Sequence, residues 1–317
     1  MNFFDLHADT LTEIKDPDES LRVNHKDLDL KRVDTFAERY AQIFAVWEDA
    51  ALCDRSLPAE ENFRRLFGRS WNLLNREEAG TNRPVWICES YQDMKKALRE
   101  GRSAAFLSVE DVSLMGEEIW KIRSYHVRFA MLCWNYENQY ACGAAFDQKK
   151  GLTEKGREAA RFLMDQDVIL DVSHLSDQGI EDLFQLSDKL LIASHSNART
   201  VQNKPRNLTD GQIQEIIRRK GLIGINLFAP FVGDQPDMDD VARHVDHILN
   251  LGGEDVLALG EDFDGSDGLF PKPIQGVQSE PDLYAYLAER FGKKMADKIF
   301  WENAEAFFGA SVLLVGN

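Results

Sequence analysis

Short apolar runs, often rich in β-branched residues, recur along this chain and alternate with longer stretches whose apolar positions repeat every three or four residues. The short runs are Asn2–Leu6, Tyr40–Trp47, Ser103–Val109, Val127–Cys133, Val168–Val172, Leu190–Ser194, Leu222–Leu227 and Val256–Gly260. Their length and composition predict strands. Between them, Glu60–Asn75 repeats Phe63, Leu66, Phe67, Trp71 and Leu74 at helical spacing. Asp210–Arg219 predicts a helix whose start is marked by Thr209 and Gln212, a capping box. Eight strands alternating with helices predict a (β/α)8 TIM barrel. No glycine-rich phosphate loop follows the first strand, which argues against a doubly wound open sheet. No repeat, low-complexity tract or Pro/Gly/Ser-rich linker interrupts the pattern, so residues 1–317 are expected to form a single domain.

The polar residues that end these runs carry the candidate chemistry. His7-Ala8-Asp9 follows the first strand and Glu110-Asp111 the third; Ser173-His174 follows the fifth and His195-Ser196-Asn197 the sixth. Glu261-Asp262-Phe263-Asp264 follows the eighth. In a barrel, the C-terminal strand ends share one mouth, where barrel enzymes keep their active sites. Strand side chains alternate faces, so His7 and Asp9, two apart, are expected to reach the same ion. Imidazole and carboxylate donors without thiolate suit zinc or a similar divalent cation. His7, Asp9, His174, His195 and a bridging Glu110 supply enough donors for two ions. Such a pair acidifies a water and polarises a carbonyl, as hydrolysis of an unactivated amide requires.

Three of the seven histidines thereby fall at strand ends. His244 and His247, in Arg243-His-Val-Asp-His247, form a rival cluster, but they sit in a helical pattern before the last strand and read as a solvated or packed helix face. His25 and His126 have no companions and read as structural.

Composition narrows the setting. Lys and Arg total 37 against 54 Asp and Glu, a formal charge of −17. That balance argues against nucleic-acid partners and anionic membrane surfaces. No run approaches the roughly 18 apolar residues of a membrane helix. Met1–Asp5 lacks the basic and apolar regions of a secretion leader, and Ser311–Asn317 is too short for an anchor signal. Cys53, Cys88, Cys133 and Cys142 lie far apart with no CxxC pair, as expected of reduced, mostly buried thiols in a cytoplasmic protein.

At this resolution of detail the chain resembles the membrane (renal) dipeptidase family, zinc metallopeptidases within the amidohydrolase-like barrels. The resemblance is carried by Asp5-Leu-His-Ala-Asp-Thr10, Leu107-Ser-Val-Glu-Asp111, Leu170-Asp-Val-Ser-His174 and Ala193-Ser-His-Ser-Asn-Ala-Arg199. It continues in Pro205-Arg-Asn-Leu-Thr-Asp210, Gly224-Ile-Asn226 and Leu259-Gly-Glu-Asp-Phe-Asp-Gly265. It implies that His7 and Asp9 bind one zinc, that His174 and His195 bind the other, and that Glu110 bridges them. Asp262 is similar to the family's proton shuttle, with Asp264 its competitor by strand parity, and Arg206 to the residue that captures the substrate's C-terminal carboxylate. The implied activity is hydrolysis of small dipeptides, L-Xaa-D-Xaa included, by a metal-bridging hydroxide. Another small amide or lactam, or an inert metal-binding barrel, is the competing reading. Where animal members carry a carbonyl-polarising His, this chain has Trp134; with Asn135 and Asn138 it is a candidate to line the substrate pocket. Two Zn²⁺ are the expected cofactors, other divalent ions being acceptable to the same donors, and a homodimer stays open as the assembly.

Overall fold

The computed structural model describes residues 1–78 and 85–310; residues 311–317, read above for an anchor signal, lie outside the described residues. Among the described residues nine strands form: β1 (Asn2–Ala8), β2 (Arg39–Val46), β3 (Val85–Ile87), β4 (Ser103–Val109), β5 (Val127–Ala130), β6 (Ile169–Asp171), β7 (Leu191–Ala193), β8 (Leu222–Ile225) and β9 (Leu257–Leu259). Every pairing is parallel, and β1-β2-β4-β5-β6-β7-β8-β9 closes back onto β1 as an eight-stranded barrel. The TIM-barrel expectation therefore holds. β3 is the strand the sequence pattern did not reveal: its apolar run, Val85–Cys88, is shorter than the runs that enclose the equally short β6, β7 and β9. It pairs with Ser103–Ala105 low on β4, below the Leu107–Val109 stretch that pairs with β5.

The helices are α1 (Ala59–Glu78), α2 (Tyr91–Arg99), α3 (Glu154–Asp165), α4 (Asp177–Leu186), α5 (Asp210–Arg218), α6 (Met238–Asn250), α7 (Glu280–Phe291) and α8 (Asn303–Ala310), besides shorter turns. The expected capping box is present: Thr209 Oγ1 accepts from Gln212 N, and the Gln212 side chain accepts from Thr209 N. Strict strand–helix alternation fails in two places. The β1–β2 connection carries only the four-residue turns Thr10–Glu13 and Leu30–Val33. The β4–β5 connection runs through 3₁₀ turns, Val112–Tyr125, kinked at Gly116 (φ 54°).

Phe4, Leu6, Ile43, Phe106, Phe129, Ile169, Ile192 and Leu222 pack together as the barrel interior. Phe308 of α8 closes its floor, with ring centroids 4.6 Å from Phe106, 5.1 Å from Phe4 and 5.6 Å from Phe129. Burying such side chains contributes about 1.5–3 kcal/mol each. A larger apolar layer, with Phe3, Tyr40 and Leu257 among its strand residues, lies between the strands and the helices.

One acidic cluster sits in that outer layer. Glu261 and Glu280, both fully buried, face one another, and among the described residues no other group donates to their carboxyl oxygens. Asp5 lies alongside, accepting from Glu261 N (3.0 Å) and Gln42 Nε2 (2.7 Å). Burial, and then the charges of Glu280 and Asp5, hold the Glu261 carboxyl well above its ordinary range; burial does the same to Glu280. A folded pKa raised above the unfolded value favours the neutral form in the fold, so this contribution to stability is present in acid and lost as pH rises. Glu280→Gln is therefore expected to raise the melting temperature progressively more, relative to the wild type, between about pH 5 and about pH 9. A difference that stays constant across paired melting curves would contradict it.

Candidate active site

The first site residues are delivered by an irregularity in β1. Phe3 packs in the outer layer and Phe4 and Leu6 in the interior, so simple alternation would send His7 outward with Phe3 and Asp5. Instead Asp5 stands opposite Gln42 while Ala8 stands opposite Phe44, an extra residue on β1. A bulge of this kind re-aims a side chain, and here it turns His7 into the barrel mouth. His7 and Asp9 meet there, Nε2 to Oδ2 at 3.5 Å, and the bulge that brings them together is invisible to a period-two pattern. His174, just past β6, and Asp262, just past β9, adopt left-handed backbone (φ 71° and 63°). Such backbone costs about 1–2 kcal/mol for a residue with a Cβ, which the surrounding fold must offset.

These turns bring the expected donors together. His7 Nε2 lies 3.2 Å from Glu110 Oε2, 3.5 Å from Asp9 Oδ2 and 3.8 Å from Asp262 Oδ1. His174 Nε2 lies 2.9 Å from both Glu110 Oε1 and His195 Nε2. The His7 and His195 rings stack at 3.8 Å. Three donor groups result, each with its atoms within 4.8 Å of one another: His7/Asp9/Glu110, Glu110/His174/His195 and His7/His195/Asp262. Glu110 belongs to the first two.

The donor chemistry fits a cation. His7 Nε2, Asp9 Oδ1 and Glu110 Oε2 are buried without any hydrogen-bond partner, and leaving such groups unsatisfied is expensive. Burial, followed by Arg206 and His7 for His174 and by His7 and Arg206 for His195, holds both imidazoles well below their ordinary pKa, in the neutral form a metal requires. Burial opposes protonation of His7 too, but Glu110 and Asp9 outweigh it and raise that group. Burial and then Asp9 push Glu110 up to about 8.

A supporting layer holds the donors in place. His174 Nδ1 meets Asn135 Oδ1 at 2.9 Å, and His195 Nδ1 meets Ser194 Oγ at 2.7 Å. Asn226 Nδ2 donates to Asp262 Oδ2 (3.1 Å), leaving Oδ1 toward His7. Gly265 passes so close that a Cβ there would lie 2.3 Å from Asp9 Oδ2 and 2.4 Å from Asp262 Oδ1; only glycine leaves both carboxylates their positions. Ser194, Asn226 and Gly265 received no role from the sequence, because nothing in their spacing distinguishes them from ordinary loop residues.

A cavity of about 310 Å³ opens above the donors. It is lined by acids from the β1 and β9 loops (Asp9, Glu13, Asp262, Asp264, Asp267) and by Trp47, Trp134, Asn135, Phe228 and Phe231. Trp134 and Asn135 are among the lining residues, as are Trp47, Phe228 and Phe231, to which no sequence motif assigned a site role. Asn138 corrects the expectation. Its Nδ2 donates to Asp111 Oδ1 (2.8 Å) and Leu132 O (2.9 Å), and its Oδ1 accepts from Tyr140 N and Ala141 N. Those bonds brace the loop after β5, and Asn138 does not line the cavity.

Asp264 has both oxygens engaged, one by Thr10 Oγ1 (2.5 Å) and one by Asp27 N (2.6 Å), which separates it from Asp262. Arg206 is buried beside the donors, bonding Ser196 Oγ (2.8 Å) and His195 O (3.1 Å), with its Nε unpartnered. Of the remaining histidines, His244 is buried between Ala198 N and Val232 O, His247 pairs with Asp210, and His126 pairs with Glu89 and stacks on Trp71. None joins the cluster.

Fold and donor set together define a metal-binding (β/α)8 barrel. The chain belongs to the membrane dipeptidase family, peptidase family M19, whose model matches residues 1–309. Relatives include an uncharacterized dipeptidase of Schizosaccharomyces pombe, 34% identical over 171 residues, covering 52% of this chain and 41% of the relative. Dipeptidase tcpJ of Claviceps purpurea is 29% identical over 70% of this chain and 52% of its own. The chain thus spans about half the length of these two curated relatives. A metallopeptidase structure from Rhodobacter sphaeroides, bound to a phosphinate mimic of the dipeptide L-Ala-D-Ala, superposes with a TM-score of 0.85 at 23% identity, over 98% of this chain and 99% of that one. Among the described residues no helix is long and apolar enough to cross a membrane.

Proposed function

We propose that this chain is a metal-dependent dipeptidase with two zinc ions as its resident cofactor, acting on small dipeptides that include L-Xaa-D-Xaa. The observation that carries the reading is Glu110, whose two oxygens each address a different imidazole, His7 at 3.2 Å and His174 at 2.9 Å. In this reading His7 and Asp9 hold one ion, His174 and His195 hold the other, and Glu110 spans both. When bound, the ions polarise the scissile carbonyl and acidify the attacking water.

The protein's own groups do the rest. Asp262, anchored through Oδ2 by Asn226, takes the proton from the water at Oδ1 and delivers it to the leaving amine. Arg206 uses two of its five N–H donors on Ser196 and His195 and keeps the others for the substrate's terminal carboxylate. A longer peptide has no carboxylate at that point, so the guanidinium would stay unpaired and length would be selected. The proposed compartment is the cytoplasm, in keeping with four unpaired cysteines.

The test is a panel of L-Xaa-L-Xaa and L-Xaa-D-Xaa dipeptides assayed with and without chelator. Hydrolysis that requires metal supports the proposal, and a zinc-loaded protein inert toward every dipeptide overturns it. Arg206→Lys keeps the charge but loses the planar fork. Its KM for dipeptides is expected to rise by roughly tenfold or more, with little change for amides lacking a carboxylate. An equal change for both substrate classes would remove Arg206 from its role.

A further inference from the structure

Peptide hydrolysis builds negative charge on the carbonyl oxygen, and a neutral donor fixed in advance stabilises that charge. Most polar residues around the cavity are acids and have the wrong sign. Among the described residues Asn135 is the only carboxamide in its lining, and its geometry commits one end of the amide while freeing the other. His174 Nε2 faces Glu110 Oε1 and His195 Nε2, the side where a cation fits. Its Nδ1 therefore carries the proton and donates to Asn135 Oδ1 at 2.9 Å. With Oδ1 committed, the planar amide directs Nδ2 away from His174, and Nδ2 donates to no acceptor among the described residues.

The backbone around Asn135 is held firmly. Its carbonyl accepts from Ala145 N (3.1 Å), and Ala144 N bonds His174 O (2.7 Å), which ties the two residues' loops together. Gly143 packs against them so tightly that a Cβ would lie 2.2 Å from the Asn135 carbonyl carbon.

We infer that Asn135 is a catalytic residue whose Nδ2 donates to the scissile carbonyl oxygen as it gains charge, while its Oδ1 fixes the tautomer of His174. The inference rests on the dipeptidase reading and adds a donor that reading does not contain. Three variants separate the two ends of the side chain. Asn135→Asp keeps the acceptor for His174 and loses the donor. Asn135→Ala, assayed in saturating zinc, loses both without adding charge, and Asn135→Leu loses both while filling the space.

In Asn135→Asp, zinc content and resistance to chelator are expected to match the wild type. In both Asp and Ala variants, kcat should fall on the order of 10²-fold with KM little changed. Binding of a phosphinate dipeptide mimic, which imitates the tetrahedral state, should weaken by a similar factor. Asn135→Leu should also lose zinc affinity by about 10–100-fold, measured by chelator competition. Wild-type kcat in the zinc-saturated Ala variant overturns the inference. So does an Asp variant that loses zinc in step with rate, because Asn135 would then act only through His174. A wild type inert toward all dipeptides instead rejects the underlying reading, so the two failures are distinct.

Discussion

Glu110→Gln is expected to empty the site of metal and to lower dipeptide turnover on the order of 10³-fold, beyond the about 10–100-fold typical of residues that merely support a ligand. The carboxylate spans two donor groups, with one oxygen toward His7 and the other toward His174. Glutamine keeps the shape but replaces one oxygen with an amide nitrogen that has no free lone pair, so one of the two positions loses its donor whichever way the amide turns. It also removes a negative charge from a buried site that gathers positive charge when loaded. Zinc stoichiometry measured on the purified variant, beside its rate on a good dipeptide, checks both parts. Full zinc occupancy in Glu110→Gln would refute the bridging role.

Asp262→Asn should separate chemistry from metal holding. Its Oδ1 lies 3.8 Å from His7 Nε2, and the same residue joins His7 and His195 in a third donor group. Ligand and proton carrier are therefore competing roles for one side chain. If Asp262 carries the proton, asparagine preserves the bond with Asn226, zinc is retained, and kcat falls about 10²–10⁴-fold. Loss of zinc together with rate would assign it to the metal instead, and unchanged kcat would remove it from the reaction.

How far the sequence could be read depended on the length of each signal. Eight of the nine strands were legible because parallel barrel strands are apolar on both faces and stand out as short runs. The closed ring follows from their number and spacing. Val85–Ile87 escaped because its apolar run ends at Cys88, shorter than the runs around the other three-residue strands. The donor positions were legible because histidines and carboxylates interrupt those runs at one end only. What the sequence could not carry was local geometry that breaks periodicity, such as the β1 bulge and the left-handed backbone at His174 and Asp262. Asn138 shows the limit from the other side. An asparagine beside a predicted mouth has the right chemistry for substrate, but the Asp111 carboxylate and nearby backbone took up its hydrogen-bonding groups first. Asn135, three positions earlier, kept an arm free.

The aromatic plug at the foot of the barrel has a bearing on traffic. With Phe308 wedged among Phe4, Phe106 and Phe129, the tube is blind, and whatever enters from above leaves by the same door. On the dipeptidase reading proposed above, both amino acids freed by cleavage would therefore have to leave through the opening that admitted their parent.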